Sequence, residues 1–281
     1  MPSVGIVTGA ASGMGFTTAR RIADMVDVLL LVDRDEAALT GAAQNLPLGI
    51  QRAVLEPFVL DVTDGPALAE LATRTSQRGT LRAVAHAAGI SPAMSDWRQV
   101  LTVDLVGTAM VIEALEPLVT SDTAIVCFAS IAATLAVGEL VPSAVAALDE
   151  PLDPQLLERI HEALGQEIEN TDAAYGWAKL GVRRLVQREA VRFGRRGARI
   201  CSVSPGMIDT PMTRLEAEVR SAVNGILLEE TPLGREGRPE EVSAAAAFLI
   251  SDEASFIDGI DIAVDGGLVP ALLTGQAQLS D

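Results

Sequence analysis

The stretch Ser3-Val4-Gly5-Ile6-Val7-Thr8-Gly9-Ala10-Ala11-Ser12-Gly13-Met14-Gly15 decides how the rest of the chain is read. Val4 to Thr8 is a short β-branched run, and beyond the glycines Phe16, Ala19, Ile22 and Ala23 recur with a helical period. A strand, a glycine-rich turn and a helix in that order form the opening unit of a dinucleotide-binding α/β fold. Gly9 allows the tight turn, Gly13 lets the backbone approach a pyrophosphate, and Gly15 lets the helix pack close to the strand; Ser12 and Met14 share the turn. The pyrophosphate would rest on the helix N-terminus, where free N–H groups and the helix dipole favour an anion.

Working outward, a second strand, Val28 to Val32, ends at Asp33. An acidic residue there would hydrogen-bond the adenosine ribose and repel a 2′-phosphate, so the sequence points to NAD rather than NADP, with the adjacent Arg34 as the one group that could receive a phosphate. Further strands are expected at Glu56 to Leu60, ending in Asp61-Val62, at Arg82 to His86, ending in Ala87-Ala88-Gly89, at Ala124 to Phe128, leading to Ser130, at Ala198 to Val203, and at Asp261 to Val264. Helical stretches separate them, which predicts a single Rossmann-like domain over 1–281, a doubly wound parallel sheet whose ligands lie beyond the carboxyl ends of its strands. A tail is expected from about 270 to 281.

The other informative stretch is Tyr175-Gly176-Trp177-Ala178-Lys179. It holds the only tyrosine of the chain and the only lysine among 21 basic residues. On a helix from Tyr175 to Arg192 the two side chains lie on one face, where a neighbouring ammonium favours the ionised form of a phenol. That is a proton-transfer device. A lone lysine in an arginine-rich chain also implies a site that needs a compact ammonium rather than a planar guanidinium.

With 281 residues, 49% of them apolar, the chain can bury a large core. A net charge of −17 argues against nucleic acid or an anionic membrane surface as partner. Cys127 and Cys201 fall in strand-like runs and read as reduced structural thiols; with no secretory leader and no apolar window of membrane-spanning length, a cytoplasmic protein is expected. Trp97 to Leu118 reads as one helix carrying Asp104, which is either a solvated face residue or part of a site. Between Ser130 and Tyr175 a helical hairpin is expected at about 138–172, with Asp153-Pro154 as N-cap and N1 proline of its second helix. A polar-faced helix is expected from Thr213 to Pro232. His161 on the hairpin reads as a surface or partly covered group and His86 as a core residue, and no metal site is expected.

Taken together, TGAASGMG at 8–15, LDV at 60–62, Ser130, YGWAK at 175–179, SPGMIDTPM at 204–212 and VDGG at 264–267 resemble the short-chain dehydrogenase/reductase family over Ser3 to about Val269. The resemblance implies hydride transfer between a nicotinamide cofactor and an alcohol or carbonyl. It implies Tyr175 as general base or acid, Lys179 lowering its pKa and binding the nicotinamide ribose, and Ser130 bonding the substrate oxygen. Pro205, Ile208 and Thr210 would fix the carboxamide, and Asp61 with Val62 would contact the adenine.

Three positions depart from the family's pattern. Asp104 replaces an asparagine whose backbone carbonyl holds a relay water, and its carboxylate would tend to raise the Tyr175 pKa. His86-Ala87-Ala88-Gly89 replaces Asn-Asn-Ala-Gly, leaving cofactor contacts there to the backbone. The hairpin is an insertion, and with the missing asparagines it resembles the bacterial 3α-hydroxysteroid dehydrogenase/carbonyl reductase branch. Blocking of one helix face by Val141 to Asn170 then implies a homodimer through the last strand and helix rather than a homotetramer.

The resulting expectation is an NAD-dependent dehydrogenase of a secondary alcohol or ketone, a steroid or another bulky apolar molecule being one candidate, with Met94, Trp97, Met207, Met212 and Leu215 as possible pocket walls. A dehydrogenase of a small polar alcohol and a non-catalytic nucleotide-binding regulator are the alternatives.

Overall fold

The structure is a computed structural model that describes residues 1–46, 53–93, 95–135, 140–214 and 225–277. Among the described residues seven strands form one parallel sheet: β1 (Ser3–Thr8), β2 (Val28–Asp33), β3 (Val54–Val59), β4 (Thr80–His86), β5 (Ala124–Phe128), β6 (Arg199–Pro205) and β7 (Asp261–Val264), in the order β3-β2-β1-β4-β5-β6-β7. Alternation along β1 sends Val4 and Ile6 into one apolar layer and Val7 into the other, so both faces of the sheet are buried, as parallel sheets require. The strand order reverses between β1 and β4, and the crevice at that reversal is where doubly wound folds bind ligands.

Helices α1 (Gly13–Ile22) and α2 (Glu36–Asn45) follow β1 and β2, and α3 (Gly65–Arg78) follows β3. The segment expected as one helix from Trp97 to Leu118 is instead α4 (Trp97–Leu101), a π-helical turn over Thr102–Val106, α5 (Gly107–Leu115) and a short 3-10 turn. The π turn adds a residue to the helical repeat, closed by the Gly107 amide on the Thr102 carbonyl, and such bulges cluster at functional sites. Past β5 come α6 (Ala132–Leu135), α7 (Pro142–Leu148), α8 (Leu156–Leu164) and the long α9 (Thr171–Gly194), which starts four residues before the expected helix because Asn170 caps it through the amides of Asp172 and Ala173. After β6, α10 (Pro239–Ile250) packs beside α1, and α11 (Leu268–Leu273) occupies part of the expected tail. Half of the helix expected from Thr213 to Pro232, residues 215–224, lies outside the described residues.

The hairpin is present as α7 and α8, though α8 begins at Leu156; Asp153 accepts from the Gln155 amide in a turn before the helix instead of capping it. Leu156, Ile160 and Ile168 are buried in the same layer as Trp177 of α9. Arg184 of α9 grips Asp149, at the end of α7, with two hydrogen bonds of 2.8 and 2.7 Å. The insertion is therefore fastened onto α9 by apolar packing and one bidentate ion pair.

Candidate active site

The end of β1 enters a cavity of about 440 Å³ lined by the glycine-rich turn, within the range of small-ligand sites. Two glycines there are required by contact. A Cβ on Gly9 would stand 2.9 Å from the backbone of Ala87, and one on Gly15 would stand 1.9 Å from the Gly9 carbonyl oxygen. Gly9 also has a φ of +67°, which side chains other than glycine's rarely adopt. The Ser12 side chain does not cap α1, so among the described residues no side chain caps the first-turn amides beside the cavity. This cradle fits the pyrophosphate of a dinucleotide, since it offers free N–H groups and leaves no room for a methyl where the chain folds over itself.

Of the residues expected to hold the cofactor, Gly9, Ser12, Gly13, Met14, Gly15, Asp33, Arg34, Asp61, Val62, Ala87, Gly89 and Thr210 all line this one cavity. Asp33 is fixed at the tip of β2 by the amides of Ala11 (3.1 Å) and Asp35 (3.2 Å). Asp61 is held below the usual carboxylate value, first by the Thr63 hydroxyl; burial opposes this, and the Thr63 amide and the Arg34 cation add smaller lowering effects. Pro205 and Ile208 are not in the cavity wall: Pro205 ends β6 beside Val264, and the buried Ile208 packs against Gly237. The nearby Met207 lines a smaller recess, and Met212 is the expected pocket residue that reaches the main cavity. Trp97 is core, with the Arg98 guanidinium 4.1 Å and the stacked His161 ring 5.6 Å from its ring centre, while Met94 and Leu215 lie outside the described residues. His161, partly covered by this stacking, also bonds Glu169 at 2.9 Å.

Beside the cavity, α9 carries Tyr175 and Lys179 one turn apart. The ammonium lies 5.5 Å from the centre of the phenol ring and donates to the Phe128 carbonyl at 3.2 Å, which ties it to the end of β5 two residues before Ser130. Ser130 stands at that strand end with its hydroxyl accepting the Ala132 amide. Asp104 is fully buried in the π turn, which rules out the solvated-face reading. Its Oδ1 accepts the Ile90 amide at 2.9 Å and lies 3.7 Å from the Lys179 ammonium. Among the described residues no cluster of three histidine, cysteine or carboxylate side chains is placed to share a metal ion.

A network that sequence reasoning missed supports this group. The Ala88 amide donates to the Thr8 hydroxyl, and the Thr8 hydroxyl meets His86 Nδ1 at 2.9 Å. His86 Nε2 meets the Thr108 hydroxyl at 2.9 Å, and that hydroxyl donates to the Asp104 carbonyl. Since Thr108 spends its proton on Asp104, Nε2 must be the donor to Thr108 and Nδ1 the acceptor from Thr8, which fixes a neutral tautomer. Burial, reinforced by the Lys179 cation, pushes His86 down to about 3. His86 thus braces β4 against β1 and α5, and through Thr108 reaches the π turn, at a strand end that lacks side-chain amides. The signal was a histidine closing an apolar strand between two distant threonines.

Comparison with known proteins agrees with this geometry. A family model described as enoyl-(acyl carrier protein) reductase matches residues 9–147 and 161–269, leaving out part of the hairpin. The chain is 33% identical over 275 residues to cis-4-hydroxycyclohexanecarboxylate dehydrogenase of Sinomonas cyclohexanicum, covering 94% of this chain and 95% of that protein. It is 32% identical over 273 residues to meso-2,3-butanediol dehydrogenase of Serratia marcescens, covering 93% and 92%. Among solved structures, levodione reductase superposes with a TM-score of 0.76 at 25% identity, over 96% of this chain and 98% of that one. Fold, glycine cradle and relatives converge: the chain belongs to the short-chain dehydrogenase/reductase family.

Proposed function

We propose that the protein is an NAD-dependent dehydrogenase interconverting a secondary alcohol and a ketone, with Tyr175 as the proton-transferring group. The observation that carries this reading is the single lysine held 5.5 Å from the ring of the single tyrosine, beside a cavity whose glycine cradle fits a dinucleotide. When bound, the nicotinamide cofactor supplies the acceptor or donor of hydride. In alcohol oxidation the Tyr175 oxygen takes the hydroxyl proton of the substrate, and in carbonyl reduction it returns one. Lys179 favours the ionised phenol and also has donors for ribose hydroxyls, a pair of tasks that a compact ammonium performs and a planar guanidinium does not. Ser130 steadies the substrate oxygen as charge develops on it.

Asp33 supports NAD over NADP, because its fixed carboxylate faces the cavity where a 2′-phosphate would have to lie. The named activities of the relatives, on a ring-borne alcohol and on a short-chain diol, support a modest secondary alcohol as readily as the bulky apolar or steroid substrate of the resembled branch. The fastened insertion supports a homodimer through β7 and the last helices; a solution tetramer pairing the α9 helices of two subunits would contradict it. The test of the cofactor and substrate reading is reduction of NAD and of NADP across a panel of ring-borne, short-chain and steroid secondary alcohols. Activity with NAD that passes toward NADP in Asp33→Ala is expected; no oxidation of any alcohol with either cofactor would refute it.

A further inference from the structure

Lys179 is only 5% exposed and Asp104 is fully enclosed, so an amine and a carboxyl group, which as a pair carry opposite charges, sit inside the protein. They arrive from different elements, the carboxylate from the π turn and the ammonium from α9, with 3.7 Å between them. Gly89, in the turn after β4, makes room for this approach: a methyl there would stand 2.6 Å from Asp104 Oδ1 and 3.4 Å from Lys179 Nζ. The Ile90 amide aims Oδ1, while Oδ2 is buried with no hydrogen-bond partner among the described residues. A carboxylate so enclosed is stable in its charged form only if a cation compensates it, and the same holds for the ammonium.

The other titratable groups facing this pair are neutral in the working range. His86 from β4 is held near 3 by burial and by Lys179, and Cys127 from β5 is pushed up to about 12 by burial. On α9 itself the neighbour is Tyr175. Burial works against the ammonium of Lys179, but the adjacent Asp104 and then Tyr175 outweigh it and raise Lys179 above the ordinary lysine value; burial pushes Asp104 up, with the Lys179 cation opposing.

We propose that Asp104 is the fixed counter-ion of Lys179 and that this pair, in place of a bare ammonium, sets the pH at which Tyr175 ionises. The inference rests on the reading of Tyr175 as the proton-transferring group and makes Asp104 a positioning residue. A bare ammonium beside a phenol draws its proton away at lower pH, and a carboxylate behind that ammonium cancels part of the effect. The protein therefore works at more alkaline pH than it would with an uncharged side chain here. Asparagine is the isosteric control, because its carbonyl oxygen still accepts the Ile90 amide while the charge is gone.

The composition makes the test direct, since the only phenolate and the only side-chain ammonium each titrate without background from others of their kind. In the full chain, the near-ultraviolet phenolate absorbance of Asp104→Asn is expected to have its midpoint lowered by about one pH unit, with the ionisation governing kcat/KM for alcohol oxidation moving down in parallel. Equal midpoints in the two proteins would overturn the proposal. In the wild type, isotopically labelled lysine observed by NMR is expected to stay protonated above the ordinary lysine range; loss of the proton below that range would overturn it even if Asp104→Asn failed to fold. Full turnover by Tyr175→Phe would instead refute the assignment of the base, which the absorbance and NMR readouts do not depend on.

Discussion

His86 should make this protein lose stability in mild acid, and the size of the loss follows from its burial. Its ring is 2% exposed and bonded at both nitrogens as a neutral group, with its pKa lowered from the ordinary 6.5 to about 3 by burial and then by Lys179. The unfolded chain takes up a proton near the ordinary value while the folded chain does not, so the unfolded state binds more protons between these limits. Stability is full above the unfolded pKa and falls as pH drops toward the folded one. Each pH unit in that window costs about 1.4 kcal/mol, so moving from about pH 7 to about pH 5 removes about 2 kcal/mol. That figure depends on the unfolded value, because pH 5 lies well above the folded one, and it is a large part of a typical stability of about 5–15 kcal/mol. His86→Gln retains a donor and an acceptor without the titration. Urea unfolding of both proteins at the two pH values gives a double difference in which the other histidine and the carboxylates cancel. The variant should be about 1–2 kcal/mol weaker at neutral pH, from imperfect hydrogen bonds to Thr8 and Thr108, yet lose about 2 kcal/mol less on acidification. Parallel losses in the two proteins would refute the neutral, bridging His86.

Gly15→Ala places a methyl where the Gly9 carbonyl already stands at 1.9 Å, so the turn must open; dinucleotide affinity should fall at least about tenfold in a fluorescence titration, and unchanged affinity would show that the turn is not the binding cradle. Lys179→Arg preserves charge but must fit a planar fork beside the Phe128 carbonyl, so kcat should drop about a hundredfold with the fold intact by circular dichroism; a change within about twofold would remove the case for a compact ammonium. Arg184→Ala breaks the clamp on Asp149. Because both side chains are 31% exposed, stability should fall by only about 1 kcal/mol, while limited proteolysis within the insertion accelerates; unaltered cleavage would mean that apolar packing alone holds it.

The glycine turn, the strand ends and the Tyr175–Lys179 spacing were legible because each is a local pattern with a local cause. The π turn was not. Val100, Leu101, Val103 and Leu105 read as one continuous apolar face, and a single extra residue in the repeat does not show in that pattern. For the same reason the sequence does not decide whether Asp104 belongs to the surface or to a site, although the apolar Val103 and Leu105 on either side of it, both buried, hint at enclosure. His86 was placed in the core correctly, but its partners Thr8 and Thr108 lie on other elements, and sequence spacing carries no trace of such a bridge. Pro205 and Ile208 sit in a recognisable motif, yet the loop turns so that Thr210 reaches the cavity wall and they do not. In the hairpin, Asp153-Pro154 reads as a helix start and is a turn, because the Asp153 side chain accepts the amide of Gln155, two residues on, and the helix begins at Leu156, which meets the core.

The most direct test of the central claim is single-turnover NAD reduction by Tyr175→Phe beside the wild type, with the alcohol that the wild type oxidises best and with cofactor binding measured in both. Loss of about a thousandfold or more in the hydride-transfer rate, with cofactor affinity changed by less than about threefold, is the predicted result. Hydride transfer at the wild-type rate without the phenol oxygen would contradict it.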